Sequence, residues 1–222
     1  MEKKSKIKGI IFDFDGVILD SANIKTEAFL EMFNKHNEHL EAIKLYHIKN
    51  QGITRFKKFK WIYEELLGKK YTDADGEELG KQFSEIVFGK ILKTPHISGA
   101  HSLLESLKNR VFMFIASGTP DDELNEIIIQ RNLEKYFEKI YGSNHTKVEA
   151  VDLIMDSYGF NENELIFVGD AITDYDAAKA RGLHFVAVQS DEMETFWENK
   201  NIIPIDSLLE IKNLYKLPEA QY

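Results

Sequence analysis

Five short apolar runs constrain the fold of this 222-residue chain more than any other feature. Each is about four to eight residues long and rich in Ile, Val and Phe, which is typical of strands buried on both faces. The runs read IKGIIFDF, VFMFIAS, KIYGS, ELIFVGD and HFVAVQ. Segments with helical spacing, such as Leu124, Ile127 and Ile128, separate the later runs. This alternation predicts an α/β fold with a doubly wound parallel sheet.

One long stretch departs from the alternation. From about Ser21 to Pro95 the apolar residues repeat with helical spacing and no convincing strand occurs. We therefore predict an α/β core made of residues 1–20 and 96–222. Residues 21–95 are predicted to form an all-helical cap inserted after the first strand.

Composition narrows the possible partners and chemistry. The net charge of -9 disfavours nucleic acids and anionic membranes, because binding to either requires a basic surface. The chain has no cysteine, which excludes disulfides, thiolate metal sites and a cysteine nucleophile. None of the seven histidines has a convincing ligand spacing, so none is assigned a role. The short, interrupted apolar stretch at the start is unlike a signal peptide, and we expect a cytoplasmic monomer or homodimer.

Two aspartates, Asp13 and Asp15, follow the first predicted strand. Ligands bind at the carboxyl ends of strands in an open parallel sheet, and charges placed beside an apolar core need a metal or hydrogen bonds. Gly16 allows a sharp turn and a close approach of its N–H to an anion. The alternative is that the aspartates simply end the strand and turn the chain.

The second and third candidate elements supply groups that could bind phosphate. Ser117 and Gly118 end the strand VFMFIAS and precede a helix, so a hydroxyl and helix-start amides could hold phosphate oxygens. The alternative for Ser117 is a helix N-cap. Lys147 stands at the start of another helix, where the dipole disfavours a cation, although it could also be a solvated surface lysine.

The fourth element is the acidic sequence GDAITD at the end of ELIFVGD. Asp170 ends the strand, and Asp174 lies one helical turn further on. Clustered carboxylate oxygens of this kind are preferred by Mg²⁺, which predicts a magnesium site. The alternative for Asp174 is that it helps the following alanine-rich helix to begin.

Taken together, these motifs resemble those of the haloacid dehalogenase superfamily. DFDGV is similar to its nucleophile motif and GDAITD to its acidic motif, while Ser117 and Lys147 match the motifs that hold phosphoryl oxygens. The helical insert resembles the cap of the phosphoglycolate phosphatase and beta-phosphoglucomutase group. The resemblance covers nearly the whole chain and implies a phosphatase acting on a small phosphorylated metabolite.

The resemblance also implies individual roles. Asp13 would attack phosphorus and become an aspartyl-phosphate, and Asp15 would protonate the leaving oxygen and then activate water. Magnesium would be held by Asp13, the backbone carbonyl of Asp15 and Asp170. Asp174 would bind it directly or through water.

Several functions remain open on this scaffold. A phosphomutase is one alternative, although related mutases usually carry glutamate where this chain has Gly169. A phosphonatase would form a Schiff base on a cap lysine, for which Lys57, Lys58 and Lys60 are available. A dehalogenase lacks the second aspartate, and a non-catalytic binding protein would not need all four motifs. Arg55 is the predicted cap contact to the substrate, with an ordinary surface arginine as its alternative.

Overall fold

The computed structural model describes residues 6–218 and contains a five-stranded parallel sheet. The strands are β1 (Gly9–Phe12), β2 (Phe112–Ala116), β3 (Lys139–Tyr141), β4 (Leu165–Gly169) and β5 (His184–Ala187). Their order is β3-β2-β1-β4-β5, so β1 lies in the centre. Each of the five apolar runs forms one strand, and the predicted α/β fold is confirmed.

Helices connect the strands and cover both faces of the sheet. Those that follow the helical segment are α5 (Ala100–Leu107), α6 (Asp121–Gln130), α7 (Lys147–Tyr158), α8 (Ile172–Ala180), α9 (Glu194–Asn199) and α10 (Glu210–Tyr215); single turns lie at Glu134–Tyr136, Glu162–Glu164 and Asp191–Met193. Alternate strand residues face opposite layers, because successive side chains of a strand point to opposite sides. Ile10 and Phe12 pack in the cluster that contains residues of α5 and α6, whereas Ile11 packs with those of α7 and α8.

The stretch between β1 and α5 forms four helices, and residues 22–91 contain no strand. The helices are α1 (Ala22–Met32), α2 (Leu40–Lys49), α3 (Arg55–Trp61) and α4 (Asp73–Ile91), with a turn at Asn37–His39 and a π-helical turn at Ile62–Leu66. Three buried rings, Phe29, Phe59 and Phe83, join α1, α3 and α4, with centroids 4.8 to 6.0 Å apart. Helical spacing in this segment therefore corresponds to a shared aromatic core.

The two connections to the helical segment run side by side. Leu19 pairs with His96 in an antiparallel bridge, and Asp20 N–H donates to the Pro95 carbonyl oxygen at 3.1 Å. The segment therefore leaves and re-enters next to β1, which keeps its helices near the carboxyl end of the sheet. Across residues 6–218, no helix is both long enough and apolar enough to cross a bilayer.

Candidate active site

The register of the three central strands brings the predicted site residues to one edge of the sheet. Phe12 is aligned with Ile115 of β2 and with Val168 of β4. Asp13, Ser117 and Asp170 follow these aligned positions by one or two residues. The Asp13 N–H continues the ladder by donating to the Val168 carbonyl oxygen at 2.9 Å.

Three carboxylates form a buried cluster at this edge. One oxygen each from Asp13, Asp170 and Asp174 lies within 4.8 Å of the other two. Two glycines permit this approach, since a Cβ at Gly16 would lie 2.1 Å from an Asp170 oxygen and a Cβ at Gly169 would lie 2.1 Å from the Asp174 Cβ. The close packing of charged oxygens therefore depends on residues without side chains.

Lys147 joins the cluster as its cation. Its Nζ lies 2.6 Å from Asp13 Oδ2 and 2.5 Å from Asp174 Oδ1. The side chain is buried, so the alternative of a solvated surface lysine is wrong. Burial alone lowers the pKa of Lys147, but the attraction of Asp13 and Asp174 outweighs it and raises the pKa above its usual value.

Asp174 serves the helix start and the cluster at once. Its Oδ2 accepts a hydrogen bond from the Ala171 N–H at 3.1 Å, while its Oδ1 faces Lys147. Burial, opposed by Lys147 and reinforced by Asp13, raises the pKa of Asp174 to about 7. Burial and the charges of Asp13 and Asp174 raise the pKa of Asp170 well above its usual value. A divalent cation would relieve this crowding, and the three carboxylates are a donor set that fits one.

Asp15 belongs to a second network of hydrogen bonds. It lines one small cavity together with Asp13 and Asp170. Ser21 Oγ donates to its Oδ1 at 2.6 Å, Thr119 Oγ1 donates to its Oδ2 at 2.9 Å, and Lys25 Nζ donates to the same Oδ2. Burial tends to raise the pKa of Asp15, but Lys25 and these hydrogen bonds lower it overall. Lys25 was not among the predicted site residues.

The residues predicted to contact phosphate lie beside the carboxylates. Ser117 Oγ accepts a hydrogen bond from the Thr119 N–H at 3.1 Å, which orients the hydroxyl. Gly118 packs so closely on the helical segment that a Cβ there would lie 2.7 Å from the Gly52 carbonyl oxygen. Gly16 has a φ of 78°, as the predicted turn requires, but its N–H already donates to the Leu19 carbonyl oxygen at 2.8 Å. The expectation of a Gly16 N–H free for an anion is therefore corrected.

Arg55 of α3 has its charge paired within the protein. It is 5% exposed, so it is not a surface arginine. Its guanidinium forms two hydrogen bonds of 2.9 and 2.6 Å to Glu123 of α6, and a third of 2.9 Å to Ser84. Although Arg55 lines the cavity, its planar fork is occupied by a carboxylate of the protein.

Two further residues line the cavity: His47, which was not predicted, and Lys58, which was one of three candidate lysines for a phosphonatase. They are 5% and 4% exposed, and Lys58 Nζ lies 3.0 Å from His47 Nδ1. The sequence does contain a signal, because Arg55, Lys58, Phe59 and Ile62 follow the i, i+3, i+4, i+7 spacing of a buried helix face. The neighbouring Lys57 and Lys60 are exposed. The lysines of α3 therefore differ in burial, and the number of lysines in the helix does not reveal this difference.

The residues at the sheet edge and those of the helical segment enclose one small cavity. The sheet edge contributes Asp13, Asp15 and Asp170, and the helical segment closes it with residues of α1, α2 and α3. The Gln51 carbonyl oxygen accepts a hydrogen bond from Thr173 Oγ1 at 3.3 Å, so the α2–α3 loop touches the start of α8. The cavity volume is about 60 Å³, which is room for a few water molecules or a short organic chain.

A doubly wound parallel sheet with a carboxylate–lysine centre at its carboxyl edge defines an α/β protein with a donor set that could hold a divalent cation where such sheets bind ligands. The chain belongs to the haloacid dehalogenase-like hydrolase family, whose family model matches residues 10–188. The predicted family is thus confirmed, as is the predicted enzyme class, a hydrolase of the phosphatase type.

The names of similar proteins state several different activities. The chain is 22% identical to a phosphonoacetaldehyde hydrolase of Bacillus cereus, over 91% of this chain and 83% of that protein. It is 23% identical to a phosphorylated carbohydrates phosphatase of Thermotoga maritima, over 80% and 82% of the two chains. The crystal structure of a beta-phosphoglucomutase from Clostridium difficile superimposes with a TM-score of 0.71 at 21% identity, over 95% and 97% of the two chains. That structural likeness shows the shared fold.

The Arg55–Glu123 pair predicts a large stability effect of a single substitution. Arg55→Met leaves Glu123 buried without its cation, and we expect the free energy of unfolding to fall by about 3–5 kcal/mol. Adding Glu123→Gln should restore most of that loss, because no charge then remains unpaired. Urea unfolding of the single and double variants measures both values.

The exposed Lys60→Met on the same helix is the matched control and should change stability by less than about 0.5 kcal/mol. Equal destabilisation by the single and double variants would show that packing, rather than charge, accounts for the effect.

Proposed function

We propose that this protein is a magnesium-dependent phosphatase that hydrolyses a small phosphate monoester through an aspartyl-phosphate on Asp13. The observation that supports this best is the contact of Lys147 with both Asp13 and Asp174, beside Asp170, in a buried cluster. A carboxylate held in this way can meet an anionic phosphate without prohibitive repulsion. Asp15 faces the same cavity from a separate network, so a second carboxylate is available for proton transfer.

The residues that would hold Mg²⁺ are Asp13, Asp170, Asp174 and the backbone carbonyl of Asp15. The raised pKa values of Asp170 and Asp174 support this assignment, because they reflect negative charge that lacks sufficient compensation. When bound, the cation neutralises charge on the phosphoryl group and on the attacking carboxylate. Lys147 offsets part of that charge from the protein side.

The chain's own residues account for each bond change in the proposed reaction. An Asp13 oxygen bonds to phosphorus as the ester P–O bond breaks, and the leaving oxygen takes a proton from Asp15. Water then gives a proton to Asp15 and attacks the same phosphorus, which releases phosphate and regenerates the Asp13 carboxylate. Because the pKa of Asp15 is lowered in the free protein, its carboxylate takes up the proton of the first step when the protonated monoester binds, and it regains a proton from water in the second step.

Neighbouring residues position the phosphoryl group in this proposal. The Phe14 N–H donates to Asp13 Oδ1 at 2.6 Å, which fixes one oxygen and leaves Oδ2 facing Lys147. Ser117 Oγ accepts a hydrogen bond from the Thr119 N–H, so its own hydroxyl hydrogen can be donated to a phosphoryl oxygen. Lys147 would shift part of its interaction from Asp13 to the phosphate. Because Gly118 has no side chain, the α2–α3 loop can approach the edge of the sheet. In this proposal residues 21–95 act as the cap and residues 1–20 and 96–222 as the core.

A phosphomutase is the less favoured alternative on this scaffold. The glutamate usual in related mutases would have to replace Gly169. A Cβ at that position would lie 2.1 Å from the Asp174 Cβ, so no side chain fits without displacing the carboxylate cluster. The geometry therefore favours hydrolysis, with water as the acceptor of the phosphoryl group.

A phosphonatase is the second candidate, favoured by Lys58. Burial, reinforced by Lys25, lowers the pKa of Lys58 to about 7, so an uncharged amine is available near neutral pH. Such an amine could condense with an aldehyde, losing water to form a Schiff base. Attack of Asp13 on phosphorus would then break the C–P bond, with its electron pair moving into the iminium group. The name of the Bacillus cereus relative is consistent with this chemistry.

Asp13→Asn tests the proposed nucleophile. The amide keeps the shape of the side chain but cannot form the acyl phosphate, so we expect turnover of p-nitrophenyl phosphate to fall by about 10³-fold or more. Acid quenching with a ³²P-labelled ester should trap covalent phosphate on the parent protein and none on the variant. Asp176→Asn, an exposed aspartate on α8, is the control. Covalent label on Asp13→Asn would reject the assignment.

Thermal melting tests the metal site without relying on activity. Because the pKa of Asp174 is raised from 3.8 to about 7, the metal-free protein loses stability as pH rises through that range, and cation binding should offset the loss. Millimolar Mg²⁺ should raise the melting temperature by about 5 °C near pH 8 and much less near pH 5. Asp170→Asn should remove this difference, whereas an equal shift at both pH values would argue against the site.

Borohydride reduction separates the two candidate reactions. A phosphonatase incubated with phosphonoacetaldehyde forms an imine that borohydride reduces to a stable adduct on the lysine. For the phosphatase proposed here we expect no adduct on Lys58, as read by peptide mass spectrometry, and no release of phosphate from the phosphonate. An adduct on Lys58 that disappears in Lys58→Met would make phosphonatase the better assignment.

A further inference from the structure

The helical segment contributes α2, α3 and the loop between them to the wall of the cavity. We call this wall, made of His47, Gln51 and Lys58, the distal wall. All three side chains are buried and line the same cavity as Asp13 and Asp170. A substrate phosphorylated at one end would direct its other end toward the distal wall.

Cations around this cavity differ in whether a carboxylate balances them. Lys25 pairs with Asp15, and Arg55 pairs with Glu123. Within residues 6–218, Lys58 forms no ion pair with a carboxylate, and its polar contact is the His47 ring nitrogen at 3.0 Å. Lys58 is therefore the cavity cation that retains capacity for an anion.

The surroundings of Lys58 oppose its charge. Burial lowers the pKa of Lys58, as do the cations Lys25, Arg55 and Lys147, while Asp15 has the opposite effect. His47 cannot compensate, because burial and the charge of Lys58 lower its pKa to about 2 and leave a neutral imidazole. A buried ammonium group without a counter-ion is unfavourable. A ligand anion at this place would remove that cost.

Gln51 provides an independent sign of a missing ligand. The residue is 9% exposed, and its Oε1 is a buried acceptor without a hydrogen-bond partner among the described residues. Buried polar atoms are normally satisfied, so an orphan acceptor in a ligand cavity indicates a donor on the ligand. A hydroxyl group on the substrate could supply that donor.

We propose that Lys58, oriented by His47, binds an anionic oxygen group at the non-reacting end of the substrate, and that Gln51 accepts a hydrogen bond from a neighbouring hydroxyl. The anionic group is a carboxylate or a second phosphoryl group. The substrate class is therefore a short, hydroxylated phosphate monoester with a second acidic group. This inference rests on the proposed phosphatase function and names its specificity residues.

The size of the cavity and the state of Arg55 narrow the class further. A volume of about 60 Å³ leaves room for a short chain between the two anionic ends. Arg55 is already neutralised by Glu123, so it is not the primary contact of the distal anion. The specificity cation therefore lies one helical turn beyond Arg55 on α3.

Lys58→Met and the exposed control Lys57→Met test the assignment. The substrates are 2-phosphoglycolate, ethylene glycol bisphosphate and ethyl phosphate, of which ethyl phosphate has no second anion. We expect Lys58→Met to lower kcat/KM for the anionic esters by about 10- to 100-fold, the loss typical of one charged hydrogen bond. Ethyl phosphate should change by less than about twofold, and Lys57→Met should change none of them. The anionic ester with the larger loss identifies the group that Lys58 binds.

Calorimetric binding separates failure of this inference from failure of the proposed function. With Asp13→Asn, which cannot turn over, the anionic ester should bind more tightly than ethyl phosphate, and adding Lys58→Met or Lys58→Gln should remove the preference. If the parent hydrolyses no ester but this preference is present, the distal site stands without the phosphatase. Equal loss on all esters, or an unchanged preference without Lys58, would overturn the assignment.

Discussion

The crowding of three buried carboxylates at the end of β1 and β4 is the constraint on which the rest of this structure depends. Charges placed there would oppose folding if nothing compensated them. Lys147 compensates part of the charge by contacting Asp13 and Asp174, and the raised pKa values of Asp170 and Asp174 show that part remains. That residual charge is what makes the cluster suited to a divalent cation, and it links the stability of the fold to the chemistry of the site.

Cations pair with individual carboxylates around the cavity, and each pair has a different consequence. Lys25 pairs with Asp15 and lowers its pKa, whereas Lys147 pairs with Asp13, so the two aspartates have different cationic partners. Such a separation is what a mechanism with one nucleophile and one proton-transfer residue requires. The Arg55–Glu123 pair instead connects α3 to α6, which ties the helical segment to the sheet layer. Among the described residues Lys58 has no carboxylate partner, which is why we propose it as a contact of the substrate.

Close backbone contacts make this arrangement possible. Gly52 has a φ of 80°, and a Cβ there would lie 1.9 Å from Thr173 Oγ1 and 3.0 Å from Lys147 Nζ. The α2–α3 loop can therefore lie directly over the carboxylate cluster. A small closed cavity strengthens every electrostatic contact inside it, because fewer water molecules screen the charges.

Local patterns were sufficient for much of this protein. Five apolar runs predicted the five strands, and Asp13, Ser117 and Asp170 could be placed at one sheet edge because parallel strands end together. Lys147 could not be distinguished from a surface lysine, since its burial depends on Asp13 and Asp174, which are distant in sequence. Arg55 and Lys58 show the same limit, because their different partners, Glu123 on α6 and His47 on α2, are brought near only by the packing of helices. Charge pairing across long sequence separations is decided by tertiary structure, whereas strand order, helix spacing and the residues at strand ends are encoded locally.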